Sequence, residues 1–136
     1  MRTLIIKILL LYLLMVFSFD AYTQNKTIDS LQKVLQTQED DTAKVNTLNE
    51  LANEVARNDP DTAIYFANKA SELATRLNYK QGIADALIQI SRSNVTRGNY
   101  ETAFKKCNDA IALYDQIINS EKTTDKSKIL KKKGSA

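Results

Sequence analysis

The chain has 136 residues, of which 43% are hydrophobic and 26% charged, so it is long enough for one small domain. The formal net charge of +3 hides a near-neutral body, since residues 24–120 hold eleven basic and thirteen acidic side chains. A neutral body does not favour nucleic acid as a partner. Because there is no His and only one Cys, we expect no catalytic residues, no metal and no cofactor.

Residues 1–23 have the composition of a signal peptide. A basic start precedes an apolar run at residues 8–19, and a polar stretch follows. This run suits a signal-peptide core and is shorter than the ~20 residues that span a bilayer as a helix. Ala21 and Thr23 fit the small positions before a cut and predict Gln24 as the mature N-terminus, with a cut after Ala21 as the second choice. We therefore expect an exported, periplasmic or extracytoplasmic protein; the alternative is an uncleaved membrane anchor.

Three helical units are predicted after the leader. Residues 24–39 predict a capping helix, in which Thr27 is the N-cap and an apolar stripe follows. Residues 40–80 predict a first helical hairpin, in which Asp41 caps the first helix and Asp59 caps the second. Residues 81–119 predict a second hairpin. The stripe of the capping helix consists of Ile28, Leu31, Val34 and Leu35.

The second hairpin repeats the first. Small and apolar positions of the first hairpin recur forty residues later, which indicates stacked helical hairpins. Its turn contains Gly98, which is suited to a left-handed backbone. Cys107 lies on the repeated face and is predicted to be a buried small hydrophobe; a redox or intermolecular role is the alternative. The recurring sets are Ala63, Ala67, Ala70 and Leu73, then Ala103, Cys107, Ala110 and Leu113.

Residues 120–136 predict the end of the array. The stretch at 119–127 is polar and predicts a loop, and Gly134, Ser135 and Ala136 echo the start of the second hairpin. A repeat array normally ends in a helix with a polar outer face, whereas this one ends within its pattern. We therefore expect a truncated third repeat and a longer parent protein.

These residues resemble a tetratricopeptide repeat (TPR) protein. In the second hairpin, Leu87, Ile90 and Ser91 are similar to the first helix of the repeat, and residues 98–103 are similar to its turn. Asn94 stands where an aromatic residue is usual, and the period is near forty residues instead of about 34. The resemblance implies an all-α fold of antiparallel hairpins, stacked as a short right-handed solenoid. The first hairpin resembles the exported TPR regions of bacterial signalling proteins, which commonly precede a histidine kinase or a DNA-binding domain.

The same resemblance implies a binding groove lined by the first helix of each hairpin. Asn49, Asn53 and Arg57 are four residues apart, so they could hydrogen-bond an extended peptide or its carboxylate. The alternative is a solvated polar face. By position, the groove residues are Asn46, Asn49, Asn53 and Arg57 from the first hairpin, and Asp85, Ile88, Arg92 and Thr96 from the second.

The sequence thus predicts a non-catalytic scaffold whose partner is a protein or peptide, in the sensory part of a longer signalling protein. Two alternatives remain. The parent protein could be a membrane sensor histidine kinase whose catalytic domain lies beyond residue 136, or the array could serve self-association alone. A membrane would be involved only through the leader or through a downstream transmembrane helix.

Overall fold

The computed structural model describes the backbone of residues 2–134 and the side chains of residues 5–9, 12 and 26–124. Helix α2 packs against α3, and α4 packs against α5, which forms two hairpins; α3 also packs against α4, and α2 contacts both α1 and α4. The expected all-α stack of hairpins is confirmed. The five helices of the described part are α1 (Arg2–Thr37), α2 (Thr42–Val55), α3 (Pro60–Arg76), α4 (Lys80–Thr96) and α5 (Tyr100–Gly134).

Two aspartates cap the helices of the first hairpin. The carboxylate of Asp41 accepts a hydrogen bond from the Lys44 amide at 2.9 Å. Asp59 accepts from the Thr62 amide at 3.0 Å and from the Thr62 hydroxyl at 2.6 Å. The hydroxyl bond, and then the amide bond, hold the pKa of Asp59 below its ordinary value. The two N-caps predicted for the first hairpin are therefore confirmed, and Pro60 occupies the first turn of α3.

The turns after α3 and α4 share one backbone geometry. Asn78 has a φ of 54° and Gly98 a φ of 77°, so both residues are left-handed. In each turn the next N–H returns to the carbonyl five residues earlier, at 2.8 Å. This is the Schellman arrangement, which satisfies carbonyls at the end of a helix. The predicted role of Gly98 is confirmed.

The core is built from small residues on α3 and larger residues around them. The four alanines of α3 that face its neighbours are fully buried, which lets α2 and α4 approach closely. Phe66 is partly buried and packs against three clusters of buried residues, centred on Val45, Ala52 and Val55. Phe66 therefore connects these three clusters along the first hairpin. The buried alanines are Ala63, Ala67, Ala70 and Ala74.

Helix α1 is longer than the predicted capping helix. It runs without interruption through Thr27, so the prediction of an N-cap there is wrong. Residues 1–37 contain no Gly or Pro that would end a helix. Ile28 and Leu35 pack against the first hairpin, whereas Val34 is 43% exposed because its position on the helix turns it away from them. Among the described residues, no helix combines the length and apolarity needed to cross a bilayer.

Helix α5 also continues beyond its predicted end. The loop expected at residues 119–127 is wrong, because α5 continues to Gly134. The hydroxyls of Ser120, Thr123 and Thr124 donate to carbonyls three or four residues earlier, at 2.7–2.9 Å, so this polar stretch satisfies its own groups within a helix. No Gly or Pro interrupts it before Gly134. The remainder of the predicted third repeat, residues 135 and 136, lies outside the described residues.

Cys107 is exposed, so the prediction that it is buried is wrong. Helix α5 packs against α4 through Ala103 and Ala110, which are 3% and 1% exposed. Cys107 lies off this narrow contact face, together with Phe104 and Ile111, which are 72% and 52% exposed. Cys107 therefore lies on the exposed side of α5, although the repeat predicts a buried position there.

Candidate binding cleft

A cleft of about 450 Å³ lies between the first helices of the two hairpins, and we call it the α2–α4 cleft. Polar side chains dominate its lining, and Ile88 is its aliphatic residue. Five of the eight groove residues expected from the sequence line it: Asn46, Asn49, Asn53, Asp85 and Ile88. Four further lining residues are Glu50, Tyr79, Gln81 and Gln89.

Gly82 brings the two helices together beneath the cleft. A Cβ atom at Gly82 would lie 2.6 Å from Val45 Cγ1 and 2.5 Å from Tyr79 Cδ1, which is closer than real Cβ contacts. The short distance lets the side-chain amide of Asn49 donate to the Gly82 carbonyl at 3.1 Å. Asn49 is only 7% exposed, and its Oδ1 atom accepts no hydrogen bond. Asn49 therefore forms the floor of the cleft and joins α2 to α4.

Side-chain hydrogen bonds connect the two helices at both ends of the cleft. The Tyr79 hydroxyl donates to Asn46 Oδ1 at 3.3 Å. The Arg92 guanidinium donates to Asn53 Oδ1 at 2.5 Å and to Gln89 Oε1 at 3.4 Å. Arg92 therefore reaches the lining from the edge of the cleft, although it does not line it. These bonds orient the amide groups, so their remaining donors and acceptors have defined directions.

Asp85 is oriented from outside the cleft by α5. The Tyr114 hydroxyl donates a short hydrogen bond to Asp85 Oδ1. Burial first, and then this bond and the charge of Asp85, raise the pKa of Tyr114 to about 12. Tyr114 consequently remains a protonated donor throughout the physiological pH range. The second hairpin thus positions a carboxylate in the cleft wall.

Besides Arg92, two expected groove residues lie beyond the lining. Arg57 follows the end of α2 at Val55. Thr96 is the last residue of α4, and its hydroxyl donates to the Arg92 carbonyl at 3.3 Å. Extending the helical repeat predicted both positions, but one lies past the end of α2 and the other at the end of α4.

The four lining residues that were not predicted from the sequence carry a partial signal. Gln81 and Gln89 each lie four residues from Asp85, on the same helical face, so their participation could have been found from spacing alone. Glu50 likewise lies four residues after Asn46. Tyr79 precedes the first residue of α4, and only the folded chain shows that its ring turns towards α2.

The chemistry of the cleft is hydrogen bonding. Asn and Gln side chains offer both donors and acceptors, and Glu50 and Asp85 offer acceptors. Among the described residues there is no group of three or more His, Cys, Asp or Glu that could hold a metal ion. The arrangement is suited to holding a polar chain, and it contains no nucleophile beside a general base.

Comparison with known proteins identifies the family. Residues 19–112, more than half of the chain, match the family model described as the SusR N-terminal TPR domain. No curated protein and no solved structure gives a significant match. TPR domains are helical-repeat scaffolds that are generally non-catalytic and commonly bind protein partners. With its two hairpins and this match, the chain belongs to the TPR family of the SusR N-terminal domain.

Proposed function

We propose that this TPR domain binds an extended segment of a partner protein in the α2–α4 cleft. The observation that carries the proposal is the row of amide side chains along a cleft between two packed helices: Asn46, Asn53, Gln81 and Gln89. A peptide in extended conformation presents alternating N–H and C=O groups. Amide side chains can pair with both kinds of group, so the cleft is complementary to a main chain without requiring one particular sequence.

The proposed scaffold works outside the cytoplasm. Two features support this location. The leader has the charge and apolar pattern of a signal peptide, and the family match begins at residue 19, where the apolar run ends. A direct test fuses residues 1–30 to alkaline phosphatase, which is active only after export. An inactive fusion that stays in the cytoplasm would contradict the proposed location.

We also propose that the domain is the sensory or interaction part of a longer signalling protein. The matching family is described as an N-terminal domain, which supports the presence of further domains downstream in such proteins. In this role, binding of the partner segment would be the input and a downstream domain would provide the output. Reading the native gene beyond the codon for Ala136 tests this proposal, and a stop codon there would contradict it.

The binding proposal is tested with a double variant of the cleft. Asn46→Ala with Asn53→Ala removes two amides that line the cleft, whereas Asn68→Ala with Asn108→Ala removes two exposed amides elsewhere. Each form of the 136-residue chain is immobilised and exposed to an extract of the exported proteins of the native host. We expect the cleft variant to lose the captured partner while the control retains it.

The control also separates binding in the cleft from self-association. If the cleft variant captures the same proteins in the same amounts as the wild type, the cleft is not the binding site. If the only captured protein is the chain itself and both variants retain it, the array serves self-association instead. Circular dichroism of each variant shows whether the fold is retained, so a loss of capture can be assigned to the cleft.

A further inference from the structure

The charges around the α2–α4 cleft follow an order along both helices. The contact between Asn46 and Tyr79 involves the beginning of α2 and the residue before α4, and the contact between Asn53 and Arg92 involves later parts of both helices. Because the contacts advance together, α2 and α4 run parallel. The cleft therefore has a direction, which follows both helices from their N-terminal to their C-terminal ends.

Helix α4 places an acidic residue two turns before an arginine. Asp85 precedes Arg92 by seven residues, so the two residues are on the same side of α4. Glu50 of α2 lines the cleft together with Asp85, and no Lys or Arg is among the lining residues. We call the part of the cleft beside Glu50 and Asp85 its acidic end, and the part beside Arg92, which bonds to Asn53 and Gln89, its basic end.

The separation between the two ends corresponds to a short stretch of peptide. Along α4, the seven residues from Asp85 to Arg92 rise by about 10 Å, at about 1.5 Å per residue. An extended chain rises by about 3.3 Å per residue. About three residues of an extended segment therefore span the distance between the acidic end and the basic end.

The floor of the cleft adds an acceptor that is not satisfied within the chain. Asn49 is more than nine-tenths buried and lines the cleft, its amide nitrogen is bonded to Gly82, and its Oδ1 atom has no donor. An unpaired buried acceptor is unfavourable. A donor from an occupant would relieve it. This favours an occupant that supplies N–H groups.

We propose that the occupant is an extended protein segment with a Lys or Arg at the acidic end, beside Glu50 and Asp85, and an Asp or Glu about three residues away, towards Arg92. This inference rests on the proposed function, and it adds the charge pattern of the ligand. Pairs of exposed charges contribute little affinity each, but they select the partner and its orientation. A segment with one kind of charge alone would meet repulsion at one end of the cleft.

The probes for this inference are five labelled peptides of twelve residues with the same neutral background. Two carry one Lys and one Glu three positions apart, in either order, because the direction of the main chain in the cleft is open. The other three carry two Lys, two Glu or two Gln at the same positions. Binding to the full chain is measured by fluorescence anisotropy at low ionic strength.

We expect one of the two mixed-charge peptides to bind about tenfold more tightly than the neutral peptide, and this difference to shrink at high salt. Glu50→Lys makes the acidic end more basic, so it should weaken the mixed-charge peptide and strengthen the peptide with two Glu. Glu72→Lys is the matched control, because Glu72 is exposed on α3 outside the cleft. It introduces the same change of charge and should alter every affinity by less than about twofold.

Two outcomes would overturn the inference. One is equal binding of the neutral and mixed-charge peptides, and the other is failure of every peptide to bind. Neither outcome tests the proposed function. That function is tested by whether the wild type captures a partner and whether the variant with Asn46→Ala and Asn53→Ala loses it. If the partner is captured through the cleft but Glu50→Lys has no effect, the proposed binding function stands and the proposed charge pattern of the ligand is wrong.

Discussion

The substitution Gly82→Ala tests how closely the two hairpins must approach. In the folded chain the new Cβ atom would lie 2.6 Å from Val45 Cγ1 and 2.5 Å from Tyr79 Cδ1. Val45 is fully buried and cannot move aside, whereas the partly buried Tyr79 ring can swing outward. Helix α4 must therefore shift away from α2. That shift would also stretch the hydrogen bond from Asn49 to the Gly82 carbonyl.

The expected loss of stability follows from two destabilising effects and one stabilising effect. Overpacking of a well-filled contact destabilises by about 1–3 kcal/mol. Weakening of the Asn49 hydrogen bond contributes about 1 kcal/mol in the same direction. The higher helix propensity of Ala offsets this by about 1 kcal/mol. We therefore expect Gly82→Ala to lower the free energy of unfolding by about 2 kcal/mol.

Urea unfolding followed by far-ultraviolet circular dichroism measures this value. A second substitution identifies the cause. Val45→Ala should destabilise the wild type more than it destabilises the Gly82→Ala variant. In that variant, shortening Val45 also removes the atom with which the new Cβ clashes. We expect this coupling to be about 1 kcal/mol. Additive effects of the two substitutions, or a Gly82→Ala variant as stable as the wild type, would refute the assignment of Gly82 to a close contact.

Three further predictions concern single sites. Gly98→Ala should destabilise by about 1–2 kcal/mol because of its φ of 77° alone, since a Cβ there has no atom within 4 Å; urea unfolding should show no coupling to Val45→Ala. Ser93 is fully buried and its hydroxyl has no partner, so Ser93→Ala should leave the free energy of unfolding unchanged or raise it by up to about 1 kcal/mol. A loss of more than about 1 kcal/mol in the same assay would mean that the hydroxyl is bonded. The pKa of Asp59 is lowered in the folded chain, so its contribution is fully present above its ordinary pKa and is lost as pH falls through the lower folded value. In unfolding titrations between about pH 5 and pH 2, Asp59→Asn should therefore lose stability less steeply than the wild type, and an unchanged pH profile would contradict this linkage.

Local signals in the sequence were sufficient for the helix starts and turns within the hairpins. Asp41 and Asp59 cap their helices through atoms three residues away, so no distant part of the chain is needed to predict them. Gly98 is predicted for the same reason, because its left-handed backbone depends on its own missing side chain. The stacking of the hairpins also follows from the forty-residue period, and the family match agrees with it.

Polarity alone suggested two helix boundaries that the folded chain does not have. The stretch after residue 118 is polar, but Ser120 and Thr124 donate to carbonyls of their own helix, and α5 continues. Thr27 resembles an N-cap, but nothing before it ends α1. Polar residues permit a loop without requiring one, so a helix that lacks Gly or Pro can run through them.

The sequence by itself determined where the helices of the hairpins begin, the two aspartate caps and the face on which the groove residues lie, because each depends on residues at most four positions apart. Only the tertiary structure decided which of those residues share a cleft, because that depends on the register of α2 against α4. This register is set by a contact between residues thirty-three positions apart, Asn49 and Gly82. The exposure of Cys107 is of the same kind. A repeat marks the face of a helix, but the neighbouring helices decide which part of that face is covered.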